Sequence, residues 1–221
     1  MIRDKRKDKK YFDAYIAYQA DRISKKTEKL SAAQGDDSKG ERINKSLINY
    51  KVDMLIAQFS VGADAKSLEK YLKDAVNTAI DMQKVDYESV LVLMSISIML
   101  SDNESIKKIS EKHKTLISED KLLNFMSVFV ESGKLFWNGK FIVPEVFDGL
   151  ENLCDSSDKE RILLDYLYEW YDNRKDASWY ESDQRSKDTY VGYWSFESAA
   201  LAKIFSISES KLKQNIFYPI I

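Results

Sequence analysis

Carboxylates are the reactive groups this chain has in quantity, with 36 Asp and Glu against one histidine, His113, and one cysteine, Cys154. Paired acids can do general acid-base work or hold a divalent cation, but either task needs a defined spacing in a suitable loop or helix context. No pair here is singled out in that way, and Asp36 with Asp37 is loop composition. His113 falls on the apolar side of its helix, as a structural histidine does. A triad built on it would need a nucleophile turn around Cys154 or a serine, and neither has one. A structural zinc site needs several Cys or His ligands, and a phosphate loop needs clustered glycines. The expectation is a protein with no catalytic residue, no metal and no cofactor.

Binding chemistry is better supplied. Between residues 145 and 188 there are 13 acids and 6 bases, a balance that projects a negative field and speeds encounter with cationic partners. Asp165, Glu169 and Asp172 follow one another at i, i+4 and i+7 on a predicted helix over 158–173. Ile162, Leu163, Tyr166, Leu167 and Trp170 form its buried sector. Tyr168 then points away from the core, and an outward ring bordered by carboxylates suits an interface anchor. Asp176, Glu181, Asp183 and Asp188 extend the acidic stretch, interleaved with Trp179 and Tyr180. Taken singly, each of these acids reads as a solvated surface residue. The front of the chain is the opposite, with 14 bases against 9 acids in residues 1–60. Its run Arg3 to Lys10 is diluted by Asp4 and Asp8 and lacks interleaved stacking rings, so it reads as a solvated or frayed helix start rather than a nucleic-acid contact.

The elements that must position these groups are helical. With 221 residues, 44% apolar and 32% charged, seven Gly and two Pro, the sequence predicts an all-α multi-helix bundle in two packed subdomains. Phe12, Ile16, Ile23 and Leu30 mark a first amphipathic helix to about Ala33, followed by a loop over Gln34 to Glu41. Capping boxes are predicted at Ser38 with Glu41, Ser101 with Glu104, and Ser157 with Glu160. Asp64, Asp86 and Ser118 are expected to start other helices. The apolar run Val90 to Leu100 fits a buried helix or, through its β-branched content, a buried strand, and it is too short to cross a bilayer. Asn138-Gly139 sits between two short apolar runs, which allows a hairpin over 135–143 or an ordered loop. The pattern changes there, giving an expected N-terminal domain of residues 1–133 and a C-terminal domain of 145–221. A single cysteine and no signal peptide predict a reducing, cytoplasmic setting and no membrane.

The stretch YVGYWSFESAALAKIF, Tyr190 to Phe205, gathers the strongest local signals. Gly192 suits a positive φ ahead of a helix, Ser195 is placed as its N-cap, and Glu197 lies in the first turn, where negative charge is favoured. Ala199, Ala200 and Ala202 let the helix approach its neighbours closely. This stretch, with the SISESKLKQNIFYPII that follows, resembles the C-terminal domain of the PoNi family, immunity proteins against polymorphic nuclease (PoNe) DNase toxins. RDKRKDKKYFDAYIAYQADRI resembles that family's N-terminal domain. The resemblance implies a two-part, all-α, non-enzymatic protein that binds a co-encoded DNase toxin in the cytoplasm of the producing bacterium. In the family pattern the pair at Trp179 and Tyr180 is usually followed by a histidine, where this chain has Asp183. Joined to the acidic stretch, it implies that Asp165, Tyr168, Glu169, Asp172, Asp176, Glu181 and Asp183 meet the toxin's basic surface. Gly192, Tyr193, Trp194, Ser195, Phe196 and Glu197 are then expected to be scaffold. A helical adaptor for an unrelated partner would need the same physics.

Overall fold

Aspartates start most of the helices. The computed structural model describes residues 2–33 and 35–221; Met1 and Gln34, the first residue of the predicted loop, lie outside the described residues. In order, the helices are α1 (Lys9–Ser31), α2 (Asp37–Val61), α3 (Ala65–Asp81), α4 (Tyr87–Leu100), α5 (Asn103–Lys112), α6 (Lys114–Glu119), α7 (Lys121–Ser132), α8 (Pro144–Phe147), α9 (Lys159–Glu169), α10 (Phe196–Ile204) and α11 (Glu209–Leu212). Short 3-10 turns lie at Asp148–Leu150, Asp172–Arg174 and Ser182–Gln184. No strand occurs among the described residues, so the fold is all-α and Val90 to Leu100 is helical.

The carboxylates of Asp8, Asp36, Asp64, Asp86, Asp102, Asp120 and Asp158 each accept a backbone N–H from the first turn of the following helix. The capping boxes predicted at Ser38, Ser101 and Ser157, and the start at Ser118, are therefore displaced by one or two residues. An ionised acceptor beside the positive end of a helix outcompetes a neutral hydroxyl. Residues 133–143 form a loop that turns at Gly139, φ +98°, and the hairpin does not form. The reason is that their backbone groups bond elsewhere. Ile142 N donates to Asp120 Oδ2 at 2.8 Å, and Lys140 O accepts from Lys121 N at 2.9 Å.

The chain divides into two compact units, one running to Leu93 and including Glu181–Gly192, the other made of Met94–Tyr180 and Tyr193–Ile221. The division between these units falls within α4 and again around the late motif.

In the first unit, α1, α2 and α3 bury Phe12, Ile48, Leu55, Phe59, Leu68 and Leu72. The predicted frayed start is instead anchored. Arg3 N and Asp4 N both donate to Ser60 O, at 2.9 and 3.1 Å, and Arg3 Nη1 donates to Phe59 O and Ala63 O at 2.9 Å. A cation on the last carbonyls of α2 satisfies orphan acceptors and complements the helix dipole. The late segment is held here too: Tyr11 OH donates to Tyr190 O at 3.0 Å, and Ser60 Oγ donates to Val191 O at 2.6 Å.

Between α1 and α2, Asp53 accepts from Tyr15 OH at 3.4 Å and from Gln19 Nε2 at 3.3 Å. Burial pushes its pKa up to about 6, more than the Tyr15 hydrogen bond and the Arg22 charge offset. The folded chain therefore holds this proton more tightly than the unfolded chain does. The resulting stabilisation is present below the ordinary carboxyl value and is lost as pH rises through about 6. Asp53→Asn, neutral at every pH, should be more stable than the parent at pH 7.5 by on the order of 2 kcal/mol, with the difference gone near pH 4. Urea unfolding followed by circular dichroism at the two pH values checks this. A gain equal at both would exclude titration as its cause.

In the second unit α10 is buried nearly all round: Glu197 to Ala202 and Ile204 are all buried, and Lys203 reaches the surface. A helix surrounded in this way cannot be amphipathic, which accounts for its run of small residues. Phe205, just beyond it, stacks on Phe125 with ring centroids 5.3 Å apart.

Candidate functional site

Helix α9 separates an inner and an outer face as its periodicity predicts. Leu163, Tyr166 and Leu167 are buried, as is Trp170 at its end, while Ile162 is half-buried. On the other side Asp165, Tyr168 and Glu169 are exposed, and Tyr168 keeps 72% of its surface in solvent. Asp172 and Asp176, beyond the helix, are exposed as well. Arg161 Nε donates to both oxygens of Asp165 at 2.8 Å, so that carboxylate is partly offset. Glu169, Asp172 and Asp176 are paired with no base among the described residues. These five groups belong to the second unit; the exposed Glu181, at φ +55°, and the half-buried Asp183 belong to the first.

The late motif is divided between the units at Gly192, whose φ is +127°. Ser195 occupies the N-cap position of α10 without capping it. Its backbone N–H donates to Phe217 O at 2.8 Å, and its hydroxyl donates to Glu197 Oε1 at 3.0 Å. That oxygen is a hub. It also accepts from Tyr166 OH at 2.6 Å, Trp170 Nε1 at 2.6 Å and Arg174 Nη2 at 3.0 Å. Glu197 and Arg174 are both almost fully buried. Burial, followed by the nearby Glu197 charge, raises the Tyr166 pKa well above that of a free tyrosine, which keeps it a donor. The sequence places Glu197 in the first turn of its helix and in the scaffold, but does not show its partners. A signal was available: Tyr166, Trp170 and Arg174 recur at i, i+4 and i+8, so three donors lie along one face. Tyr193 lies 5.0 Å from Tyr171 and 5.5 Å from Trp179, measured between ring centroids, within a cluster of stacked and tilted rings. Phe196 is buried and Trp194 half-buried.

The other candidates for chemistry sit apart from this arrangement. His113 is buried where α5 ends. Burial, then Asp155, raises the Cys154 thiol pKa, which lowers its thiolate fraction. Among the described residues no group of three or more His, Cys, Asp or Glu could hold a metal ion, and no helix is long and apolar enough to cross a membrane.

What fold and side chains together define is an all-α protein with a hydrogen-bonded polar hub inside and an acidic, aromatic face outside, the build of a binding protein. The chain belongs to the PoNi family: residues 3–111 match the model for the N-terminal part of PoNe immunity proteins, and residues 118–220 match the C-terminal part. PoNi proteins are immunity proteins to PoNe nuclease toxins, which they bind, and are inhibitors rather than enzymes. A partial likeness runs to an endoribonuclease YbeY of Lachnospira eligens, 26% identical over 89 residues, 40% of this chain and 43% of that protein. The chain thus spans less than half the length of that relative. No solved structure matches.

Proposed function

We propose that this immunity protein neutralises a co-encoded nuclease toxin by laying its acidic, aromatic face over the toxin's basic DNA-binding or active-site surface. Asp165, Tyr168, Glu169, Asp172 and Asp176 form the central contact, and the charges of Glu181 and Asp183 add to the negative field that attracts the toxin. The single observation that supports this most is the exposure of Tyr168 among carboxylates, of which Glu169, Asp172 and Asp176 have no cationic partner among the described residues. A nuclease must present positive charge to a polyanion, so such a face can occupy the same surface and exclude DNA. Complementary charge speeds capture, and buried rings slow release. The motif from Gly192 to Glu197 serves as scaffold, because its polar groups are turned inward and a family-wide signature is poorly suited to choosing one toxin. The protein acts in the cytoplasm, without touching nucleic acid or membrane itself.

Reversing Asp165, Glu169 and Asp172 to lysine should slow association with the co-encoded toxin by about tenfold or more at low salt and flatten its salt dependence. Cells co-expressing toxin and the triple variant should lose protection, while helicity and melting change little. Intact protection and unchanged association would remove this face from the interface.

A further inference from the structure

The two most exposed large apolar side chains among the described residues are Tyr168 at 72% and Ile216 at 66%. They are far apart in sequence, yet each directly follows one partner of a single hydrogen bond, in which Asn215 Nδ2 donates to Leu167 O at 3.2 Å. The backbone carrying Ile216 is therefore tied to the end of α9, one residue along the chain from the bond on each side. It is also held firmly. Asn215 Oδ1 accepts from Phe217 N at 2.9 Å, the Phe217 ring stacks on Tyr171 at 5.2 Å with only 5° between planes, and Phe217 O accepts from Ser195 N at 2.8 Å. A turn fixed on both sides of an isoleucine that is itself left in water is a preorganised arrangement, and preorganisation lowers the entropic cost of binding.

We propose that Ile216 is a second apolar anchor of the toxin-binding face, entering with Tyr168 an apolar dent in the toxin's basic surface. This rests on the function proposed above and extends its contact beyond the acidic segment. Charge selects the occupant. Tyr168 is bordered along the chain by Glu169 and Asp172, both exposed and with no basic partner among the described residues. A second copy of this chain seated symmetrically on the patch would bring like charges together. A cationic protein surface meets no such repulsion. Anchors of this kind sit at the desolvated centre of an interface, surrounded by charges that act mainly on encounter.

The test uses the full-length protein and its co-encoded nuclease, with association and dissociation rates measured at two salt concentrations. Ile216→Ser and Ile216→Asp should each raise the dissociation rate by about 30-fold. Ile216→Ser should leave the association rate and its salt dependence unchanged. Ile216→Asp separates the two kinds of contact, because an added negative charge would tighten a purely electrostatic contact and weakens an apolar one. The effects of Ile216→Ser and Tyr168→Ala should be non-additive, since the two side chains share one dent. Parental rates for both Ile216 variants, with weakened binding after charge reversal at Glu169 and Asp172, would overturn the anchor and leave the acidic face standing. Parental rates for all variants would remove both. Unchanged toxin binding with loss of a dimer in sedimentation would assign the patch to a second copy and also overturn the proposal. Ile216 is exposed, so melting should be unaffected and serves as the folding control.

Discussion

Replacing Glu197 by alanine should destabilise the unit formed by Met94–Tyr180 and Tyr193–Ile221 by about 3–5 kcal/mol, the cost of breaking a buried ion pair from one side. Removing the carboxylate deprives the Tyr166 hydroxyl, the Trp170 indole N–H, the Arg174 guanidinium and the Ser195 hydroxyl of one common acceptor. Donors left unsatisfied in the interior cost more than the original bonds were worth in net stability. Glu197→Gln keeps the shape but withdraws the charge facing Arg174 and places an amide N–H₂ among donors. Its loss should be smaller, about 2–3 kcal/mol. Ser195→Ala removes one neutral donor and should cost about 1 kcal/mol. Intrinsic fluorescence is a selective probe, because Trp137, Trp170, Trp179 and Trp194 all belong to this unit. Urea midpoints read by fluorescence should fall in the order Ser195→Ala, Glu197→Gln, Glu197→Ala. A loss below about 1 kcal/mol for Glu197→Ala would mean that the four donors find other partners, and the hub would have no structural role.

Periodicity made the long elements legible, and for a plain reason. Leu163, Tyr166, Leu167 and Trp170 had to share one face of a helix if they were to leave water together, and they do. Element starts were read less well because two rules competed. Ser-x-x-Glu spacing drew attention to Ser101 and Ser157, while Asp102 and Asp158, one residue on, carried the stronger acceptor. Polar residues that serve the interior were the least visible. Asp4, in a run of charges, reads as solvated but is 1% exposed, because its partner lies 186 residues away and no local pattern points to it. The same applies to the unit boundary. Gly192 was recognised as a turn, but that the residues before it return to the N-terminal helices depends on contacts of Tyr190 and Val191 with Tyr11 and Ser60. On the acidic face, exposure of Asp165, Tyr168 and Glu169 followed from the helical wheel. The Arg161 pairing follows from i, i+4 spacing and could have been anticipated.

The long-range tie at Asp4 leads to the second large effect. Asp4 accepts from Tyr190 OH and from Arg6 N, the latter at 2.9 Å, and Arg6 Nη1 lies 3.5 Å from the same carboxylate. Burial, followed by Asp4, raises the Tyr190 pKa far above the usual value, so its hydroxyl is a donor throughout the working pH range. Asp4→Ala should therefore cost the unit containing α1, α2 and α3 about 3 kcal/mol, since a hydroxyl on a fully buried ring and a half-buried guanidinium lose their anionic partner together. Tyr190→Phe removes one donor while Arg6 still serves the carboxylate, and should cost about half as much. The double variant should fall short of the sum of the two by more than about 1 kcal/mol, as expected for groups in direct contact. This unit contains no tryptophan, so the measurement is hydrogen exchange resolved along the chain. Amides of residues 185–191 and of α1 should exchange roughly 100-fold faster in Asp4→Ala if opening of the unit governs their exchange, the factor that about 3 kcal/mol corresponds to. If protection falls only at the first few residues, the tie between the N-terminus and the late segment does not stabilise the unit. The stability of that segment must then come from other contacts, among them the bonds of Tyr11 and Ser60.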